Sequence, residues 1–169
     1  PKWTSTHYTL LQLKNMGYPQ GDERVNKSVQ LVLNIPKAPD GGIDVSKTGR
    51  QSDVCVNGMI LNFAAYFLGK DKQLNNIVDY LLDVHMKDGG WNCRHLHGAT
   101  HSSLHTTLSV LEGLHEFTVA GNKYRSREIK AACSEGREFI LLHRLFKSHR
   151  TGRVISPAFT LLSYPCRWK

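Results

Sequence analysis

The sequence predicts an all-α fold: an α/α arrangement of about three helix hairpins, with an inner and an outer helical layer. Three observations predict it. Apolar residues recur at spacings of three and four, and strand-like alternation is absent. A Gly-rich turn occurs twice, as Asp40-Gly41-Gly42-Ile43 and Asp88-Gly89-Gly90-Trp91, from position 40 to position 88. Between these turns, a run that is apolar nearly all round alternates with a run that is apolar on one side only.

The elements follow in order. Thr4 to Met16 reads as the first inner helix and Val25 to Leu33 as the amphipathic helix paired with it, with Val25, Val29, Val32 and Leu33 apolar. After the first Gly-Gly turn, Val54 to Leu68 reads as a buried inner helix, because it has no wide polar face. Leu74 to Val84 is its outer partner, through Leu74, Ile77, Val78, Leu81 and Leu82. After the second turn, Leu104 to Phe117 is the third inner helix and Ile129 to Leu145 the third outer one. Gly17, Gly69 and Gly121 stand where helix C-termini are expected. Arg150-Thr151-Gly152-Arg153 stands near the place of a third turn, in altered form. Such hairpins cannot bury their apolar faces alone and stack on their neighbours.

Length and composition limit the class. The 169 residues suit a single domain, 1–169, and 40% hydrophobic residues suffice for a core, which excludes a disordered chain. No apolar run is long enough for a transmembrane helix, and the first residues carry no secretory signal pattern. Twenty-two Lys and Arg against 14 Asp and Glu give a formal charge of +8, which favours an anionic partner. No nucleic-acid-binding motif accompanies that charge, so nucleic acid is not expected. Four cysteines, Cys55, Cys93, Cys133 and Cys166, are too sparse for a disulfide scaffold and suggest a reducing, cytoplasmic setting. The chain opens within a repeat near Trp3 and stops at Cys166-Arg167-Trp168-Lys169, where another inner helix would start. It is therefore expected to be a piece of a longer chain, or one whose open ends associate with copies of itself.

Ligand types single out one cluster. Cys55, Cys93, His101 and His105 are soft donors of the kind zinc takes. His101 and His105, four apart, are expected to share a helix face. The same residues also have plainer readings. Asp53 is a good helix N-cap and Cys55 a good small buried hydrophobe, while the histidines suit a hydrogen-bonded helix entrance. Lys47 and Arg50 suit a solvated loop, as do His95 and His97; Trp91 suits helix packing. His7 suits capping or packing, and Cys133 and Cys166 have no partner pattern.

The spaced Asp-Gly-Gly-Trp motif with its paired helices resembles the repeat of the prenyltransferase and squalene-cyclase family, over essentially the whole chain. The resemblance implies an α/α toroid, here partial. Lys47-x-x-Arg50-x-x-Asp53-x-Cys55 is similar to the basic-x-x-basic-x-x-Asp-x-Cys segment of protein prenyltransferase β subunits. It implies that Lys47 and Arg50 bind a diphosphate and that Asp53 and Cys55 are zinc ligands. The third ligand is implied to be His105, in His105-Thr106 ahead of Gly113-Leu114, with His101 and Cys93 as alternates. Val56 stands where that family carries a Tyr, and the Asp-x-Asp-Asp acid of the cyclases is missing. The implied activity is zinc-assisted transfer of a prenyl group from a prenyl diphosphate. Met59, Phe63, Tyr66, Phe67, Leu108 and Leu111 would line the isoprenoid where they face the cavity, and the same resemblance implies a partner subunit. The alternative function is a non-catalytic toroid that holds a lipid or protein in a concave apolar face. A weaker one is a structural module that assembles through its ends.

Overall fold

The computed structural model describes residues 5–47 and 49–160. Among the described residues six α-helices carry the fold: α1 Thr6–Asn15, α2 Glu23–Leu33, α3 Val54–Leu68, α4 Asn75–Asp83, α5 Leu104–Val119 and α6 Ser126–Leu142. Single 3₁₀ turns lie at Lys72–Leu74, His95–His97 and Pro157–Thr160. Among the described residues there is no strand, only two isolated bridges, Lys37 with Ile43 and Lys147 with Val154. The all-helical expectation holds. The expected start of the first helix at Thr4, and Trp3, Cys166 and the inner helix expected after it, lie outside the described residues.

Helix α3 is the centre of the molecule. Its buried residues fall on every side, from Val54 through Asn57, Ile60, Phe63 and Ala64 to Phe67, so it packs against α1, α2, α4 and α5. Its closest neighbour is α5. A methyl group at Gly58 would sit 2.7 Å from the Ser109 carbonyl oxygen, and one at Gly113 would overlap the carbonyl of Gly58. The two glycines therefore let the main chains touch. These helices run parallel: the Cys55 amide at the start of α3 meets the loop leading into α5, and at the far end Asn122 Nδ2 donates to the Gly69 carbonyl at 3.2 Å. The end of α1 lies at that same far end, where the Tyr66 hydroxyl donates to the Tyr18 carbonyl and Lys14 pairs with Glu116 at 2.9 Å. Thus α1, α3 and α5 share one starting edge.

Helices α2, α4 and α6 are amphipathic and flank this central set. In α6 the buried residues are Ile129, Ala132, Cys133, Gly136, Phe139 and Ile140, one helical stripe. Helix α6 stops at Leu142, three residues before the sequence suggests, because Arg144 and Leu145 take positive φ and turn the chain. The expected C-terminal glycines are in place: Gly17, Gly69 and Gly121 all have positive φ just after α1, α3 and α5.

The repeat seen in the sequence is a repeat of hydrogen bonds. Asp40 accepts from the Ser52 amide and hydroxyl, and Asp88 accepts from the amide and hydroxyl of Ser102. Each aspartate thereby ties a Gly-Gly turn to the approach of the next central helix. One turn further on, Asn57 accepts from the Ile43 amide at 2.9 Å and donates to its carbonyl at 3.2 Å. Thr107 treats Trp91 in the same way, at 3.0 and 3.4 Å. A third turn carries the Lys147–Val154 bridge, with Arg150 where the other two have aspartate.

Trp91 is fully buried, its indole N–H donating to the Leu81 carbonyl and its ring beside His85. This is the packing role its sequence context suggests. Phe63 and Phe67, expected to line an isoprenoid, are instead core residues of the main cluster, 0% and 5% exposed. Their side chains face the packed interior. Met59, Tyr66 and Leu111 are half-buried, and Leu108 is exposed.

Candidate functional site

The shared starting edge of the central helices gathers chemistry in one place. Asp53 occupies the N-cap position of α3 with extended backbone angles, yet its side chain makes no capping bond. Its carboxylate is exposed, so the plain N-cap reading is not how this side chain is used. Two residues on, the Cys55 amide is one of the helix-start donors that have no partner within the helix. It donates to Cys93 Sγ at 3.3 Å.

Cys93 is brought there by the second Gly-Gly turn. Asn92 shapes the turn by accepting from the Arg94 amide and donating to the His101 carbonyl. Gln51 Nε2 donates to the Cys93 carbonyl at 3.0 Å, which ties the loop to the entrance of α3. Thr106, in the first turn of α5, places its hydroxyl 3.5 Å from Cys93 Sγ. The sulfur is thus held from the starts of α3 and α5 while Gln51 holds the main chain, and both cysteines are half-buried free thiols.

The nearness of the two cysteines separates their acidities. The neighbouring Cys55 is the main reason Cys93 falls below the usual thiol range, with the Thr106 hydroxyl and the Cys55 amide adding to it. The neighbouring Cys93, followed by burial and the nearby Asp53 charge, pushes Cys55 up. A thiolate on Cys93 is favoured while Cys55 keeps its proton.

The remaining sequence candidates separate. His101 does not share a helix face with His105. It lies exposed in the approach loop, because Ser103 caps α5 by accepting from the Thr106 amide and the helix begins only at Leu104. His105 is in the first turn of α5, its ring edge-on to Phe159 at 4.9 Å, and burial lowers its pKa so that it is neutral at pH 7. Lys47 and Arg50 are exposed in the loop ahead of α3. His95 and His97 form a 3₁₀ turn rather than an open loop; His95 is half-buried, with Nδ1 against the Asn92 carbonyl, and His97 is exposed. His7 is buried beside Ser5 and Tyr8. Cys133 is buried in the core and its thiol is pushed up by burial, in keeping with an inert residue.

One residue escaped the sequence reading. Asp44 is buried in the loop before α3 and accepts from the Ser46 hydroxyl and the Gly49 amide. The Asp-x-Ser pattern followed by a glycine is the signal that would have found this loop-closing role.

Two neighbouring cysteines are half of a zinc ligand set, and a neutral imidazole and a carboxylate are the right types to complete it. Among the described residues, however, no three His, Cys, Asp or Glu side chains are gathered closely enough to hold a metal ion. The fit to zinc is to the Cys55–Cys93 pair, with the third ligand not in position. No helix among the described residues is long and apolar enough to cross a membrane. No protein-family model, curated protein or solved structure matches the chain.

Proposed function

We propose that the chain is part of a prenyltransferase- or terpenoid-cyclase-like α/α toroid acting in the cytoplasm on a prenyl diphosphate. The observation that carries this reading is the meeting of Cys55 and Cys93 at the edge where the parallel central helices begin. The repeated Asp-Gly-Gly turns and the alternation of central and flanking helices support the toroid, whose curvature would come from further hairpins or a partner subunit.

In this reading Cys55 and Cys93 would hold zinc, and Asp53 or His105 would have to move in as the third protein ligand. Zinc supplies a deprotonated, still nucleophilic sulfur from an acceptor thiol. The chain's own contribution is orientation and charge. Thr106 and the Cys55 amide fix Cys93, and Lys47 and Arg50 neutralise the leaving diphosphate.

The test is zinc content by elemental analysis of protein purified without added metal, together with direct binding of farnesyl and geranylgeranyl diphosphate. Near-stoichiometric zinc, lost in Cys55→Ala and Cys93→Ala, is expected, with diphosphate binding weakened in Lys47→Ala/Arg50→Ala. Absence of both zinc and diphosphate binding would overturn the reading and leave the non-catalytic binder of a lipid or protein.

A further inference from the structure

Cys55 and Cys93 are 38 residues apart in sequence, yet the amide of Cys55 donates to the sulfur of Cys93 at 3.3 Å. Cys55 is fixed by α3. Cys93 rides on the loop between the second Gly-Gly turn and α5, and that loop is held at Gln51, Asn92 and Thr106. Both sulfurs are half-buried, whereas the third described cysteine, Cys133, is sealed in the core.

We propose that this pair is a redox site: when it is free of metal, a peroxide closes Cys55 and Cys93 into a disulfide that removes both sulfurs as metal donors. This deepens the reading above as regulation of the same thiols, and it rests on their proximity rather than on zinc. The chemistry balances. The sulfur of one cysteine, as thiolate, attacks a peroxide oxygen; the O–O bond breaks, a sulfenic acid forms, and the departing oxygen leaves as water after taking a proton. The sulfur of the other cysteine then attacks the sulfenic sulfur, the S–S bond forms, the S–O bond breaks, and a second water leaves. Two thiols are oxidised and one peroxide is reduced. The bond staples the loop at Cys93 to the start of α3 and is reversed by a dithiol reductant.

The experiment uses the full chain, both unaltered and with Cys133→Ser/Cys166→Ser. Each is stripped with a chelator, treated with hydrogen peroxide and mapped by mass spectrometry after digestion without reductant. The expected result is one linked peptide pair containing Cys55 and Cys93, lighter by two hydrogens, with loss of both alkylatable thiols and their return on reduction. Cys93→Ser is expected to lose the link entirely. Two thiols still open to alkylation after peroxide, a sulfinic acid at either position without a link, or a link from Cys55 to Cys133 would each overturn the proposal. Zinc content measured before oxidation keeps the two readings apart. A linked pair in a chain that never bound zinc fails the metal reading alone, and a zinc-binding chain that forms no link after stripping fails this one alone.

Discussion

In the first Gly-Gly turn the amide of Asn57 holds both polar groups of the Ile43 main chain, and in the second the hydroxyl of Thr107 does the same for Trp91. One turn uses two side-chain atoms and the other uses one. Both keep a glycine at positive φ, Gly41 at 90° and Gly89 at 91°. Both keep a second glycine with no room for a methyl group. At Gly42 the obstacles are Ser52 and the Tyr80 ring, and at Gly90 they are Thr107 and Ser102. The scaffold thus repeats a task rather than a residue. The contents differ. The first turn leads into a loop closed on Asp44, while the second delivers Cys93 to its neighbour's helix start. The repeat supplies position, and the unmatched residues supply chemistry.

Substitutions made in pairs across the two turns would break or sharpen this comparison. Trp91→Ala is expected to cost about 3–5 kcal/mol and Ile43→Ala about 2 kcal/mol, because the indole fills the larger buried volume and loses its bond to Leu81. Urea denaturation at unchanged slope checks both, and equal losses would show that the second turn carries no extra packing. Closing the Cys55–Cys93 disulfide is expected to raise stability by about 2–4 kcal/mol, measured by unfolding with and without reductant. A decrease would mean that the bond strains the loop.

Gly42→Ala and Gly90→Ala should each cost about 1–3 kcal/mol through overpacking, with the two values close to each other. A methyl group at Gly42 would lie 2.8 Å from the Tyr80 ring, and one at Gly90 2.8 Å from the Ser102 side chain. Thr107→Val keeps the shape and removes the hydroxyl, leaving the buried Trp91 amide unpaired while its carbonyl keeps the Ser103 amide, at about 1–3 kcal/mol in the same assay. The smallest effect is one of rate. With Cys93 shifted down and Cys55 shifted up, metal-free protein at pH 7 should be alkylated first at Cys93. Peptide mapping at short times after iodoacetamide reads the order.

The helices were legible because period and Gly punctuation agree: Gly17, Gly69 and Gly121 close the three central helices where the pattern places them. The turn repeat was legible because the Asp-Gly-Gly geometry admits few alternatives. What the sequence could not rank was which soft donors meet. Spacing favoured His101 with His105, but the Ser103 cap begins α5 at Leu104 and leaves His101 outside the helix. Cys93 stood among the alternates because its neighbour, Cys55, belongs to another hairpin, and such contacts leave no local trace. Which of the α3 residues could face a ligand was illegible for a related reason. A helix apolar nearly all round does not say which side turns inward, and here Phe63 and Phe67 turn into the core while Met59 and Tyr66 stay half-buried.

The close approach of α3 and α5 at Gly58 and Gly113 has a mechanical meaning. With no side chain between them to act as a bearing, neither helix can slide or roll without its main chain striking the other. The pair is built to act as one beam. Any adjustment at its starting edge falls to the segments that approach it, residues 49–53 and 92–103, which carry Asp53 and Cys93.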